Sequence, residues 1–206
     1  MQTQSPSSKA LDLIIRQAVA PRLRGQAFKR HGRSFARLNG DLCHCVHFQA
    51  SMWNTPDAAS FTINLLVTWP RWHEVWTGRP FPSNPASAAP VAQDRVGSLL
   101  YGKDRWWELR PEAHDERLSQ EVLEALDAAC DQFFPQYGSS GDLLARLDSG
   151  RPLPGLAPGP LVHATLLVAA GRLLEARRAV DDLGATQPDW QAVRAVAERL
   201  GLSGAV

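Results

Sequence analysis

The chain predicts an α+β fold: an antiparallel sheet of four or five strands with packed helices, plus a C-terminal all-helical unit. Three observations carry this. Strand-like alternation is confined to the first half, where Ser34 to Leu38, Leu42 to Ala50 and Ser60 to Trp69 read as three antiparallel strands. Apolar residues at helical spacing frame that region, from Ser8 to Leu23 and from Glu112 to Phe134. From Leu161 onward the pattern is helical throughout. Strands gathered in one half and helices in the other favour α+β over alternating β and α units.

The first helix places Leu11, Ile14, Ile15, Ala18, Val19 and Leu23 on one face. Ser7 or Ser8 can cap its start, Pro21 should kink or shorten its last turn, and Gly25 should end it. Asn39-Gly40-Asp41 suits a tight hairpin, and a polar loop around Asn54 to Asp57 joins the next two strands. In the second strand, alternation opposes Leu42, His44, Val46 and Phe48 to Cys43, Cys45, His47 and Gln49. In the third it opposes Phe61, Ile63, Leu65, Val67 and Trp69 to Thr62, Asn64, Leu66 and Thr68. The apolar row is core, since each large side chain buried contributes roughly 1.5 to 3 kcal/mol. The polar row needs a partner for every buried group, so that face is solvated, a groove, or covered.

Thr77 to Gln93 carries Pro80, Pro82, Pro85 and Pro90 and reads as a long irregular loop, a mobile flap. Asp94 to Leu100 suits a strand or short helix, and Arg105 to Leu109 a last strand. Six of the seven tryptophans fall between Trp53 and Trp107, a distribution that core and rim packing accounts for. The helix from Glu112 to Phe134 carries a stripe of Leu118, Val122, Ala125, Leu126, Ala129 and Phe133, closed by Pro135. Ser139-Ser140-Gly141-Asp142 resembles a capping box opening a short helix through Leu147.

Residues 151–160, rich in Pro and Gly, read as a linker. They separate an α+β domain over 1–150 from a helical appendage over 161–206. A chain ending near Gly150 is therefore expected to stay folded. Leu161 to Leu183 around Gly171, then Pro188 to Leu200 with Trp190, Val193, Ala197 and Leu200 on one side, supply its helices.

At 206 residues with 44% hydrophobic content the chain can bury a sizeable core. The N-terminal apolar run is broken by Asp12 and Arg16, so it reads as neither signal peptide nor membrane span. Three cysteines, an odd number, suit a reducing compartment and a cytoplasmic location. The net charge of +1 names no partner. Its distribution is uneven: Arg16, Arg22, Arg24, Lys29, Arg30, Arg33 and Arg37 stand without an acid between Leu13 and Gly40, while Glu108 to Asp148 is acidic. The two regions face each other or are separately solvated, or else the basic one binds phosphate, which leaves a nucleic acid among the partners to weigh.

Cys43, Cys45 and His47 invite a metal reading that geometry opposes. Residues two apart on a strand are separated by about 6.6 to 6.8 Å, too far for a set of ligands about 2.3 Å from one zinc ion. No metal and no cofactor are expected. His47, Gln49, Thr62 and Asn64 can meet across strands, with Arg37 as the cation, in a cluster suited to an anion or a polar ligand. Arg37, His47, Gln49 and Asn64 are accordingly the candidate binding residues, with Lys29 or Arg30 as further positive charge.

Several motifs in order resemble the domain-of-unknown-function 4304 family over about residues 8–148. They are Ala27-Phe28-Lys29-Arg30, His47-Phe48-Gln49, Phe61-Thr62-Ile63-Asn64-Leu65 and Asp104-Arg105-Trp106-Trp107. The chain carries Ala27 where that family usually has Gly, and His47 where it usually has Asn. The resemblance implies a bacterial α+β domain and no reaction. The residues themselves leave two readings: a non-catalytic binding or interaction module, with a protein or an anionic ligand as partner, and a small hydrolase or nuclease pairing His47 with an aspartate from 94–104. A membrane is not among the expected partners.

Overall fold

The computed structural model describes residues 6–55, 58–109, 116–151, 155, 159–187 and 191–202. The chain opens with α1 (Pro6–Ile14), a π-helical turn (Ile15–Val19) and α2 (Ala20–Gly25). Strands β1 (Lys29–His31), β2 (Ser34–Asn39), β3 (Leu42–Ala50) and β4 (Ala59–Thr68) follow, then α3 (Pro70–Thr77), β5 (Pro90–Arg95), α4 (Val96–Tyr101) and β6 (Trp107–Leu109). The remainder is helical: α5 (Glu116–Phe133), α6 (Ser140–Asp148), α7 (Gly159–Ala169), α8 (Leu173–Thr186) and α9 (Gln191–Arg199). This is the expected α+β arrangement. The antiparallel sheet has six strands in the order β1-β2-β3-β4-β5, with β6 added where Trp107 to Leu109 pairs Phe61 to Ala59.

Pro21 lacks an N–H and cannot continue the regular helical ladder. The chain answers one residue earlier, where the Ala20 N–H reaches back five residues to the Ile15 carbonyl in a π turn. Helix α2 then runs through Gly25, which is its last helical residue rather than its stop. The reversal falls at Ala27, with φ of 65°. Ala27 N–H donates to the Arg24 carbonyl and Phe28 N–H to that of Leu23, both at 3.0 Å. Those two bonds form a Schellman motif with Phe28 folded back over Leu23, both buried.

The three sequence-predicted strands form β2, β3 and β4 with ends shifted by at most one residue. Their apolar faces meet in a run of rings, Phe35 to Phe48 (centroids 6.3 Å), Phe48 to Phe61 (6.1 Å) and Phe61 to Trp107 (5.7 Å). The proline-rich region holds more structure than its composition promised. Pro70 begins α3, a place where its missing N–H costs nothing, and Pro90 is the first residue of β5. Between them the loop is tied down. Ala89 N–H donates to His73 Nδ1 (2.9 Å), Trp72 Nε1 donates to the Pro90 carbonyl (3.0 Å), and Asn84 caps a short 3-10 turn.

The chain divides into two compact units. One comprises Met1–Arg37, His44–Leu66 and Asp94–Pro135; the other comprises Leu38–Cys43, Val67–Gln93 and Gln136–Val206. In the first, α5 packs on the π turn and on α4, burying the stripe Val122, Ala125, Leu126, Ala129 and Phe133, and Arg22 pairs with Asp127 at 3.0 Å. In the second, α7 pairs with α8, α7 and α9 pack on α3, and α6 packs on α7. The second unit also contains the described parts of the 151–160 segment, where the Gly155 carbonyl accepts from Gln93 N–H (2.9 Å). Trp190 lies outside the described residues.

Candidate functional site

Of the four candidate residues, three share one face of the first unit. Strand alternation places His47 and Gln49 of β3 on the side opposite Phe48, and Asn64 of β4 opposite Phe61 and Ile63. All three are partly exposed. Asn64 Nδ2 donates to Gln49 Oε1 at 3.0 Å. His47 Nδ1 lies 2.9 Å from Ser34 Oγ, a residue that is 3% exposed. Thr62, on the same face of β4 as Asn64, is fully buried, and its hydroxyl meets no hydrogen-bond partner among the described residues.

Arg37 does not join them. Its guanidinium lies 4.6 Å from the centroid of the Phe28 ring and 5.7 Å from that of Phe134, and Nη1 donates to the Gln26 carbonyl at 3.3 Å. His44, on the same face, stacks on Phe134 at 4.5 Å. The cation felt by His47 is Arg33. Burial first, and the Arg33 charge second, hold the His47 imidazolium below its ordinary 6.5, so the ring is neutral near pH 7. Arg33 is itself bound to Asp12, with Nε to Oδ1 at 2.7 Å. Lys29 and Arg30 are exposed on β1, and Arg30 Nε donates to the Gly32 carbonyl.

Asp94 and Asp104, considered as partners for His47, are engaged elsewhere. Asp94 Oδ1 accepts from the Arg95 N–H at 2.7 Å. Asp104 Oδ2 accepts from Arg95 Nη1 (2.5 Å) and from Trp106 Nε1 (3.0 Å). Ser34 and His47 have the spacing of a nucleophile and its base, but burial of Ser34 keeps a substrate carbonyl away from its oxygen.

The cysteines are packing residues. Cys43 bonds Thr68, and burial raises its thiol above the usual range; Cys130 is pushed up to about 12 by burial. All three are buried and none forms a disulfide. Among the described residues no group of three or more His, Cys, Asp or Glu is placed to hold a metal ion. No helix among them is long and apolar enough to cross a membrane.

Comparison with known proteins gives one finding. The family model described as Domain of unknown function (DUF4304) matches residues 19–136, more than half of the 206 residues. No curated protein and no solved structure matches the chain.

Proposed function

The chain belongs to the family of the domain of unknown function 4304, a membership that brings no reaction with it, and from the chain's own geometry we propose a non-catalytic module whose polar ligand meets His47, Gln49 and Asn64. One observation carries the reading. A sheet whose other face is a continuous row of buried aromatic rings leaves two hydrogen-bonded polar pairs on this side, with His47, Gln49 and Asn64 in reach of solvent. Each amide still has donors or acceptors to offer after its mutual bond, and the neutral imidazole extends the strip with a hydrogen-bonding ring beside the Arg33–Asp12 ion pair. A small anionic or hydroxyl-rich molecule fits that chemistry. Buried cysteines without a disulfide suit a reducing compartment such as the bacterial cytoplasm.

A hydrolase or nuclease pairing His47 with Asp94 or Asp104 has less support, because both carboxylates already serve Arg95. A thermal-shift screen of small polar metabolites tests the proposal. A compound that raises the melting temperature of the wild type and not that of Gln49→Leu/Asn64→Leu supports it. Ester or phosphodiester turnover that is lost in His47→Gln would replace it with the enzymatic reading.

A further inference from the structure

A second site lies in the other unit, and it does not depend on the reading above. Helix α3, from Arg71 in its first turn, and the chain after it form, with α9, an open cleft of about 360 Å³ lined by Arg71, Glu74, Val75, Gly78, Arg79 and Arg199. Three guanidinium groups therefore line one cleft with a single carboxylate. Among the described residues none of the three has a carboxylate within ion-pair distance, Glu74 included. A helix C-terminus would by itself repel an anion through its orphan carbonyls. Here Arg199 Nη1 occupies the carbonyls of Val75 (2.8 Å) and Trp76 (2.9 Å), which offsets that charge and fixes the guanidinium. Its Nε and Nη2 lie against Gly78, where an added Cβ would come within 3.1 and 3.2 Å. Gly78, at φ of 68°, thus both closes α3 and leaves room for the fork.

We propose that this cleft binds the phosphate group of a small phosphate monoester, held between Arg71, Arg79 and the fixed Arg199. Planar guanidinium forks match phosphate oxygens bidentately. The cleft is at the small end of ligand-site volumes, which fits a phosphorylated metabolite of few heavy atoms.

The probe is glycerol 3-phosphate titrated calorimetrically into the full chain at low salt, with inorganic phosphate alongside to separate recognition of the ester from recognition of the bare anion. Saturable binding is expected, weakened about tenfold for each of Arg71→Gln and Arg79→Gln. Glu74→Gln should tighten it by about threefold, since it removes a like charge from the rim; a merely structural role for these residues gives no such gain. All three positions are exposed, and unchanged melting temperatures without ligand confirm that the variants are folded. No saturable binding of either probe by the wild type, equal binding in the Arg71→Gln/Arg79→Gln double variant, or weaker binding in Glu74→Gln each overturns the proposal.

Discussion

At the scale of single residues, Ala27 shows how local conformation overrides side-chain preference. The ends of α6, α7 and α9 use the same pair of backbone bonds as α2, with Gly150, Gly171 and Gly201 at the left-handed position. Ala27 is the one non-glycine residue among those described to adopt positive φ, at a cost of roughly 1 to 2 kcal/mol. Ala27→Gly is therefore expected to stabilise the protein by about 0.5 to 1 kcal/mol, less than the strain because glycine loses more chain entropy on folding. A urea unfolding series measures it, and a lower midpoint would show that the Ala27 methyl makes contacts that matter more. His47 makes a second prediction. Its folded-state pKa is depressed, so below the ordinary 6.5 the unfolded chain binds the proton more readily. Its contribution is fully present above about that value and is lost as pH falls from there toward the lower folded pKa. Melts between pH 8 and pH 5 should show this decline in the wild type and a shallower one in His47→Gln.

Elements were legible where their signal was local. The alternation of β3 and β4, the Gly40 turn and the α5 stripe all follow from period and turn chemistry; the strand ends and the end of α5 at Phe133 agree to within a residue, while the expected helix start at Glu112 lies outside the described residues. Helix α3 is not legible, because Pro70–Thr77 is short and directly precedes the proline-rich stretch from Thr77 to Gln93, so its residues draw no element from the sequence. The candidate site was half legible. Parity along β3 and β4 placed His47, Gln49 and Asn64 together, but Arg37 was assigned by charge alone. Counting back from a two-residue Gly40-Asp41 turn pairs Ser34 with His47 and sets Arg37 beside core residues, so the same signal could have found Ser34 and excluded Arg37. Arg33 stands in the turn before β2, where no periodicity applies. That turn chemistry also links elements. Asn39 Nδ2 donates to the carbonyls of Gly138 (2.7 Å) and Tyr137 (3.3 Å), and Asp41 Oδ1 accepts from Ser140 N–H (2.9 Å), so the hairpin tip holds the start of α6. Asn39→Ala should cost about 1 to 2 kcal/mol, read from the urea midpoint; no change would mean that the tip and α6 are fixed by other contacts.

For the whole molecule, the question is what the C-terminal helices do. Residues Leu161, Val162, Ala164, Leu166 and Leu167 of α7 are buried, α7 and α9 pack on α3, and Arg199 caps α3. A truncation after Gly150 removes all of these together with the Gly155 bond to Gln93. It is expected to melt well below the full chain, and an equal melting temperature would establish 161–206 as an independent appendage. The central claim, that the His47, Gln49 and Asn64 face is kept for a ligand and not for folding, rests on those groups being open to water. The melting temperatures of the single variants Gln49→Leu and Asn64→Leu test it most directly, since each leaves the other amide without its partner. Values close to that of the wild type are expected for both, because a partly exposed amide left behind exchanges its lost bond for one to solvent. A loss corresponding to about 1 to 3 kcal/mol per residue, the cost of leaving a buried polar group without its partner, would show that the strip is an internal network and contradict the claim.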